Sequence, residues 1–226
     1  MKNKIVVVIA AYNEEEKIAD VVGEVVKFAN KIVVVDDGSK DRTGEVIKND
    51  KVIVLKHVLN LGQGAALQTG FDYAKTLNPE VIVTYDADGQ FLAEEIPIII
   101  DPILKKKVDV VLGSRFLGKV VNLSGVRRII LKMGIFFTYA FSGLNLTDTH
   151  NGFRAFSGKA IKKINLNFDR MAHASEIIDQ IKRNNLSFCE VPVTVKYDDY
   201  SKRKGQKNSN AIKIVMDLIY ANILAR

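Results

Sequence analysis

One pattern recurs along the first half of the chain and limits its fold more than any other feature. A short run of β-branched and apolar residues stops abruptly at a polar or glycine-bearing turn, and a helical spacing follows. Residues 4–11 (KIVVVIAA), 31–35, 52–57, 81–85 and 108–112 are such runs. Apolar on consecutive positions and closed by turns, they read as strands buried on both faces, as in parallel sheets. Helical spacings between them predict right-handed crossovers and an α/β class. Helices are expected from Asn13, as N-cap, through about Phe28, from the Lys40-Asp41-Arg42-Thr43 segment, from Gly64 to about Leu77, and over 91–104 despite Pro97 and Pro102. Further along, 124–142, 174–183 and 210–225 have helical spacing, and 188–195 (FCEVPVTV) alternates as a strand. Pro192 makes that strand an edge or a bulge. With 226 residues, neither an internal repeat nor a linker stands out, and one domain over 1–226 is expected.

In an open α/β sheet, ligands bind outside the carboxyl ends of the strands. The fourth run breaks there into Asp86-Ala87-Asp88-Gly89-Gln90. Two carboxylates one residue apart can converge on Mg²⁺ or Mn²⁺, with the Gln90 amide oxygen nearby and phosphates completing the shell. Taken alone, a polar turn after a strand has the same appearance. The second run ends in Asp36-Asp37-Gly38-Ser39, where one carboxylate can cap a helix and another can accept hydrogen bonds from a base or ribose. Asn60-Leu61-Gly62-Gln63-Gly64 follows the third run. It is not a dinucleotide fingerprint, because Leu67 stands at the third glycine position and the motif follows the third strand rather than the first. Its glycines permit close backbone approach instead.

Charge divides the chain. Residues 1–101 hold 11 Lys and Arg against 17 Asp and Glu, whereas 102–226 hold 22 against 9. A basic second half suits an anionic partner: a phosphate, an acidic membrane or a nucleic acid. Nucleic acid is disfavoured, since Tyr197 and Tyr200 are the few aromatics beside the basic loop 201–210 (SKRKGQKNSN). The 124–142 segment carries Val126, Ile129, Ile130, Met133, Phe136, Phe137 and Ala140 at helical spacing, with Arg127, Arg128 and Lys132 near its start. It reads either as a core helix with a basic end or as an interfacial helix on a membrane surface. The longest uncharged stretch, 133–147, is too short to span a bilayer comfortably, and the amino-terminal apolar run is too short for a secretory signal. A single cysteine, Cys189, excludes an internal disulfide; its apolar neighbours predict a buried thiol, compatible with a reducing compartment.

Together, Tyr12-Asn13-Glu14, Asp36-Asp37-Gly38-Ser39, Asn60-Leu61-Gly62, Asp86-Ala87-Asp88-Gly89-Gln90, Gly113-Ser114-Arg115, Asp148-Thr149-x-x-Gly152-Phe153-Arg154 and Glu190-Val191-Pro192-Val193 occur in one order. The chain thereby resembles family 2 glycosyltransferases of the GT-A fold, and within them the polyprenyl- and dolichyl-phosphate sugar synthases. The resemblance implies a single Rossmann-like domain with a mostly parallel sheet. Its first half, to about residue 115, would bind the nucleotide sugar, and its second half would face acceptor and membrane. It implies that Ala11, Tyr12, Asn13, Glu14 and Asp37 hold base and ribose, with Asn60 and Gly64 bordering the pocket. Asp86, Asp88 and Gln90 would face the diphosphate and its Mg²⁺ or Mn²⁺. Arg115, Arg127 and Arg203 would receive the acceptor phosphate, with Asp88, Arg115 and Arg203 as catalytic residues. The implied reaction moves a hexose, of the GDP-mannose or UDP-glucose type, to polyprenyl or dolichyl phosphate with inversion. A phosphate oxygen is already anionic and needs positioning more than a general base. Many such proteins continue into transmembrane helices; a chain stopping at Arg226 is expected to be peripheral on the cytoplasmic face, or to pair with a separate membrane protein, or to be cut short.

Two other functions fit parts of the pattern. Transfer to a glycan hydroxyl would need a general base, for which Glu176 is the candidate, although a helix-surface carboxylate is its blander role. A nucleotide-sugar-binding subunit without turnover would be expected to have lost some of the carboxylates that this chain keeps.

Overall fold

A computed structural model describes residues 4–167, 173–198 and 200. The elements run β1 Ile5–Ala11, α1 Ile18–Val25, β2 Lys31–Asp36, β3 Val52–Lys56, α2 Gln63–Thr76, β4 Val81–Asp86, α3 Ile96–Leu104, β5 Val110–Val121, α4 Gly125–Ser142, β6 Arg154–Ser157, α5 His173–Arg183 and β7 Phe188–Lys196. The basic loop 201–210, with Lys202, Arg203, Lys204 and Lys207, and the expected helix 210–225 lie outside the described residues.

The strands form one sheet in the order β3-β2-β1-β4-β6-β5-β7. Strands β3, β2, β1 and β4 are mutually parallel, and β5 pairs parallel with β7. Strand β6 is antiparallel to both β4 and β5, so the sheet is mostly rather than wholly parallel. It separates β4 from β5, which follow one another in sequence. The chain reverses its direction of travel across the sheet at β1, between β2 and β4, and this opens a crevice at the carboxyl ends of β1 and β4.

Both faces of the sheet are buried, as the unbroken apolar runs demand. Val7 and Ile9 of β1, with Val34 and Val83, pack under α1 and α3, while Val6 and Val8, with Val35 and Ile82, pack under α2 and α5. Helix α2 sits close to the sheet because Gly70 faces β1. A Cβ at Gly70 would lie 2.3 Å from Val8 Cγ1.

Several sequence expectations need correction. Asn13 does not cap α1, which begins at Ile18 after Lys17. Asn13 has a left-handed φ of 55°, and its Oδ1 accepts from Lys40 N while its own N–H donates to Ser39 Oγ. The Lys40–Thr43 segment forms no helix; instead the Asp36 and Asp41 carboxylates close tight turns, with Asp36 Oδ1 accepting from Ser39 N and Asp41 Oδ1 from Thr43 N. The helix expected over 91–104 starts at Ile96, because Phe91 instead bridges to Val195. Strand β5 does not end at Leu112 but continues to Val121. Its register against β7 shifts between Ser114 and Lys119, so Arg115, Phe116, Leu117 and Gly118 bulge opposite Val193. Pro192 thus lies both on an edge strand and beside a bulge. Cys189 is half-buried rather than buried.

Replacing Gly70 by Ala is expected to destabilise the protein by about 1–3 kcal/mol through overpacking. Urea unfolding of the Gly70→Ala, Val8→Ala and doubly substituted proteins checks it. The double variant should lose less than the sum of the single losses, since Val8→Ala removes the methyl group in the way.

Candidate active site

The turn after β4 is braced from beneath by three aromatic rings. Tyr85 packs edge-on against Phe91 and Phe153, at centroid distances of 5.6 and 5.3 Å, and Phe91 stacks on Phe153 at 5.2 Å. The Tyr85 hydroxyl donates to Phe91 O, and Lys196 N donates to Gln90 O. The segment 86–90 is therefore held at both ends, which fixes where Asp86 and Asp88 project.

Asp86 accepts from Gln63 Nε2 at 3.3 Å, and Asp88 accepts from Gln90 N at 3.1 Å. Both keep a solvent-facing edge, yet enough protein surrounds them to perturb their titration. Burial raises the Asp86 pKa to about 6, opposed by the nearby Arg115 and Arg154 charges. Burial and then repulsion from Asp86 raise Asp88 to about 7. Two partly desolvated carboxylates that repel one another, with an open side, suit a divalent cation, which would relieve the repulsion. No cluster of three or more His, Cys, Asp and Glu side chains forms a metal cage among the described residues.

Behind Asp86 lies a buried ionic network. Arg115 donates from Nε to Asp148 Oδ2 at 2.6 Å, from Nη1 to the Tyr197 hydroxyl at 2.6 Å and from Nη2 to His150 O at 2.9 Å. Burial disfavours the Arg115 charge, but Asp148 and Tyr197 outweigh it and its pKa is raised. Arg154 donates to the carbonyls of Asn151, Thr149 and Ala174, and burial lowers its pKa to about 10. Thr84 Oγ1 donates to Gly152 O at 2.6 Å, which pins the 148–152 loop against β4. A Cβ at Gly152 would lie 2.6 Å from Asp86 Oδ1, so any side chain there would have to displace that carboxylate. Glu190 of β7 accepts from the backbone N–H groups of Thr147 and Asp148.

Around the crevice, Asp37 is committed to its own protein. It accepts from Leu61 N and Gly62 N, and its Oδ1 lies 2.7 Å from His57 Nδ1. Asn60 Nδ2 donates to Asp37 O. Asp37 and Asn60 are thus brought together as neighbouring walls. Gly64 is buried in the first turn of α2, one residue from Gln63. Ala11 is buried, Tyr12 is 41% exposed, and Glu14 Oε2 accepts from the Tyr200 hydroxyl. Arg127 stands in the first turn of α4 with its guanidinium 5.0 Å from the centroid of the Tyr197 ring. Arg203 lies outside the described residues. Glu176 is not a helix-surface carboxylate: it is buried, and it accepts from the backbone N–H of Asn167.

Sequence reasoning gave no role to Gln63, Arg154 or Tyr197. Gln63 had a readable signal, being the first residue of a helix that opens at a strand's carboxyl end. Arg154 closes the Asp148-to-Arg154 motif, which marked its place but not its partners; Tyr197, just past β7, had no local signal of the arginines it meets.

Residues 6–165 match the family model of glycosyl transferase family 2. The chain is 40% identical over 228 residues to the uncharacterised protein MJ1222 of Methanocaldococcus jannaschii, covering 98% of this chain and 93% of that one. It is 34% identical over 242 residues to the UDP-N-acetylglucosamine–dolichyl-phosphate N-acetylglucosaminyltransferase of Methanococcus voltae, covering 97% and 96%. Among solved structures, glucosyl-3-phosphoglycerate synthase from Mycobacterium tuberculosis, crystallised with Mn²⁺, UDP-glucose and phosphoglyceric acid, superposes with a TM-score of 0.78 at 17% identity. That superposition covers 99% of this chain and 79% of the other. The chain belongs to glycosyltransferase family 2. It is a glycosyltransferase with a single GT-A-type Rossmann-like sheet flanked by helices.

The raised carboxylate pKa values set a pH dependence. Between about pH 4 and 7 the folded protein keeps a proton on Asp88 that the unfolded chain has released, so this group's contribution to stability falls as pH rises through that window. Without divalent metal, Asp88→Asn should therefore melt above the wild type at pH 8 and lose that advantage at pH 5. Saturating Mn²⁺ should stabilise the wild type at pH 8 and leave the variant unmoved. Differential scanning fluorimetry across pH, with and without metal, measures both.

Proposed function

We propose that the chain transfers a hexose from a nucleotide diphosphate sugar to a polyprenyl or dolichyl phosphate at a membrane surface. The observation that carries this reading is the placement of α4. Its first turn brings Arg127 beside the Arg115–Tyr197 contact, and the helix then shows Val126, Ile129, Met133, Phe136 and Tyr139 to solvent, each more than half exposed. Arg128 and Lys132 flank this stripe. An apolar stripe with basic residues suits the headgroup boundary of an anionic membrane, where an isoprenoid phosphate presents its charge. The attachment is peripheral, on the cytoplasmic face. No helix among the described residues is long and apolar enough to cross a membrane. Relatives support the acceptor class, among them the polyprenol monophosphomannose synthase of Mycolicibacterium smegmatis, 32% identical over 202 residues, by what its name says it makes.

In this reading, base and ribose lie in the crevice walled by residues 11–14, Asp37 and Asn60, and the diphosphate faces Asp86, Asp88 and Gln90. A bound Mg²⁺ or Mn²⁺ would supply Lewis-acid stabilisation of the departing diphosphate. Asp86 and Asp88 would hold it, and Gln63 and Arg154 orient and charge-balance Asp86. The chain's remaining task is to place an anionic acceptor. Its phosphate oxygen attacks the anomeric carbon as the bond to the donor diphosphate breaks, with inversion. Arg127 would receive that phosphate, and the buried Arg115 would balance charge at the β4 carboxylates during transfer. Arg203 would share the role of Arg127.

Donor and metal are tested by screening GDP- and UDP-sugars with Mg²⁺ or Mn²⁺ for nucleoside diphosphate release. Polyprenyl phosphate, 3-phosphoglycerate and soluble glycans serve as competing acceptors. Release should depend on metal and on the lipid phosphate; release with glycan alone would overturn the acceptor. Replacing Ile129 and Phe136 together by Glu should weaken binding to anionic vesicles by about tenfold or more, since each loses the burial of one large side chain. Transfer to a short, water-soluble isoprenyl phosphate should survive in that variant. Co-sedimentation with vesicles and transfer assays check the pair.

A further inference from the structure

Two of the proposed site arginines meet on one aromatic side chain. Tyr197 follows β7 directly, is 2% exposed, and its N–H donates to Val121 O at the end of β5. The backbone that carries it is thereby fixed between two strands. Its hydroxyl accepts from Arg115 Nη1 at 2.6 Å, and its ring face carries the Arg127 guanidinium at 5.0 Å. Arg115 in turn grips the 148–152 loop through Asp148 Oδ2 and His150 O, and Gly152 of that loop lies directly against the Asp86 carboxylate. The position of Arg127 is otherwise unfavourable, because a cation in a helix's first turn opposes the helix dipole. Ser124 caps that turn by accepting from Arg127 N, which leaves the guanidinium to be placed by the Tyr197 ring.

We propose that Tyr197 is a positioning residue with two separable functions: its hydroxyl holds Arg115 beside the β4 carboxylates, and its ring holds Arg127 toward the acceptor phosphate. This rests on the acceptor reading above. The side chain sets the spacing between the donor-side carboxylates and the acceptor-side cation, so that one rigid group aligns both reactants. The hydroxyl half belongs to the chemical step and the ring half to acceptor binding.

The two halves come apart by substitution. Tyr197→Phe keeps the ring and removes the hydroxyl. Its KM for polyprenyl phosphate should stay within about twofold of wild type, while kcat falls about tenfold or more, the effect of losing a hydrogen bond to a charged group. Tyr197→Leu removes both, and should add a rise of about tenfold in acceptor KM, the effect of losing a partly buried cation–π contact. Tyr197→Met serves the same end should the Leu protein fail to fold. In an Arg127→Ala background, Phe and Leu at 197 should give the same acceptor KM, a result that a purely structural role would not produce. The KM for the nucleotide sugar, and the melting shift given by GDP or UDP with Mn²⁺, should be alike in all variants.

If wild type transfers to the lipid phosphate but Phe and Leu raise acceptor KM equally, or still differ without Arg127, the inference about Tyr197 is overturned alone. If wild type does not accept lipid phosphate at all, the acceptor reading fails and takes this inference with it.

Discussion

The structure depends on burying unlike charges together at the carboxyl end of β4. Asp86 and Asp148 stand against Arg115 and Arg154, and each guanidinium is given carbonyl or carboxylate partners. A buried ion left without its counter-charge costs several kcal/mol, so this arrangement holds only while all its parts are present. It therefore dictates much around it. The 148–152 loop must press on β4, which Gly152 permits. Strand β5 must bulge to aim Arg115 inward, and Glu190 must tie down the loop that carries Asp148.

In the proposed function, this network is what would let the carboxylate pair serve chemistry rather than merely end a strand. Dipoles and charges held rigidly in advance stabilise developing charge without reorganising during the reaction. The aromatic rings below Asp86 and the arginines behind it do that holding. Both sets include residues of the second half of the chain. Strand β6, inserted antiparallel between β4 and β5, brings Arg154, and Phe153 just before it, to the turn that follows β4. Residues from both halves of the sequence are thus interleaved around the end of β4.

Much of the fold was legible because burial on both faces leaves an unmistakable trace. The runs at 4–11, 31–35, 52–57 and 81–85 became β1 to β4, within a residue or so of the expected limits. The order of their neighbours was not legible, and neither was the reversal of β6, since four residues of RAFS carry no sign of direction. Asn13 was misread as a helix cap because Asn favours caps locally, whereas here Ser39 and Lys40, far along the chain, engage it. Glu176 looked like a surface carboxylate at helical spacing until its contact with Asn167 buried it.

The sequence by itself determined the class of fold, the carboxylates at a strand end, and the motif order that marks the glycosyltransferase family. These are local properties, set by side-chain type and spacing. Tertiary structure decided which groups share a site. Periodicity showed that α4 has an apolar stripe, but only packing decided that Ile129 and Phe136 face solvent rather than the core. Tyr197 is one tyrosine among seven in the sequence, and it became the seat of two arginines because β5, β7 and α4 converge on it. Such meetings depend on contacts between residues tens of positions apart, and no local preference encodes them.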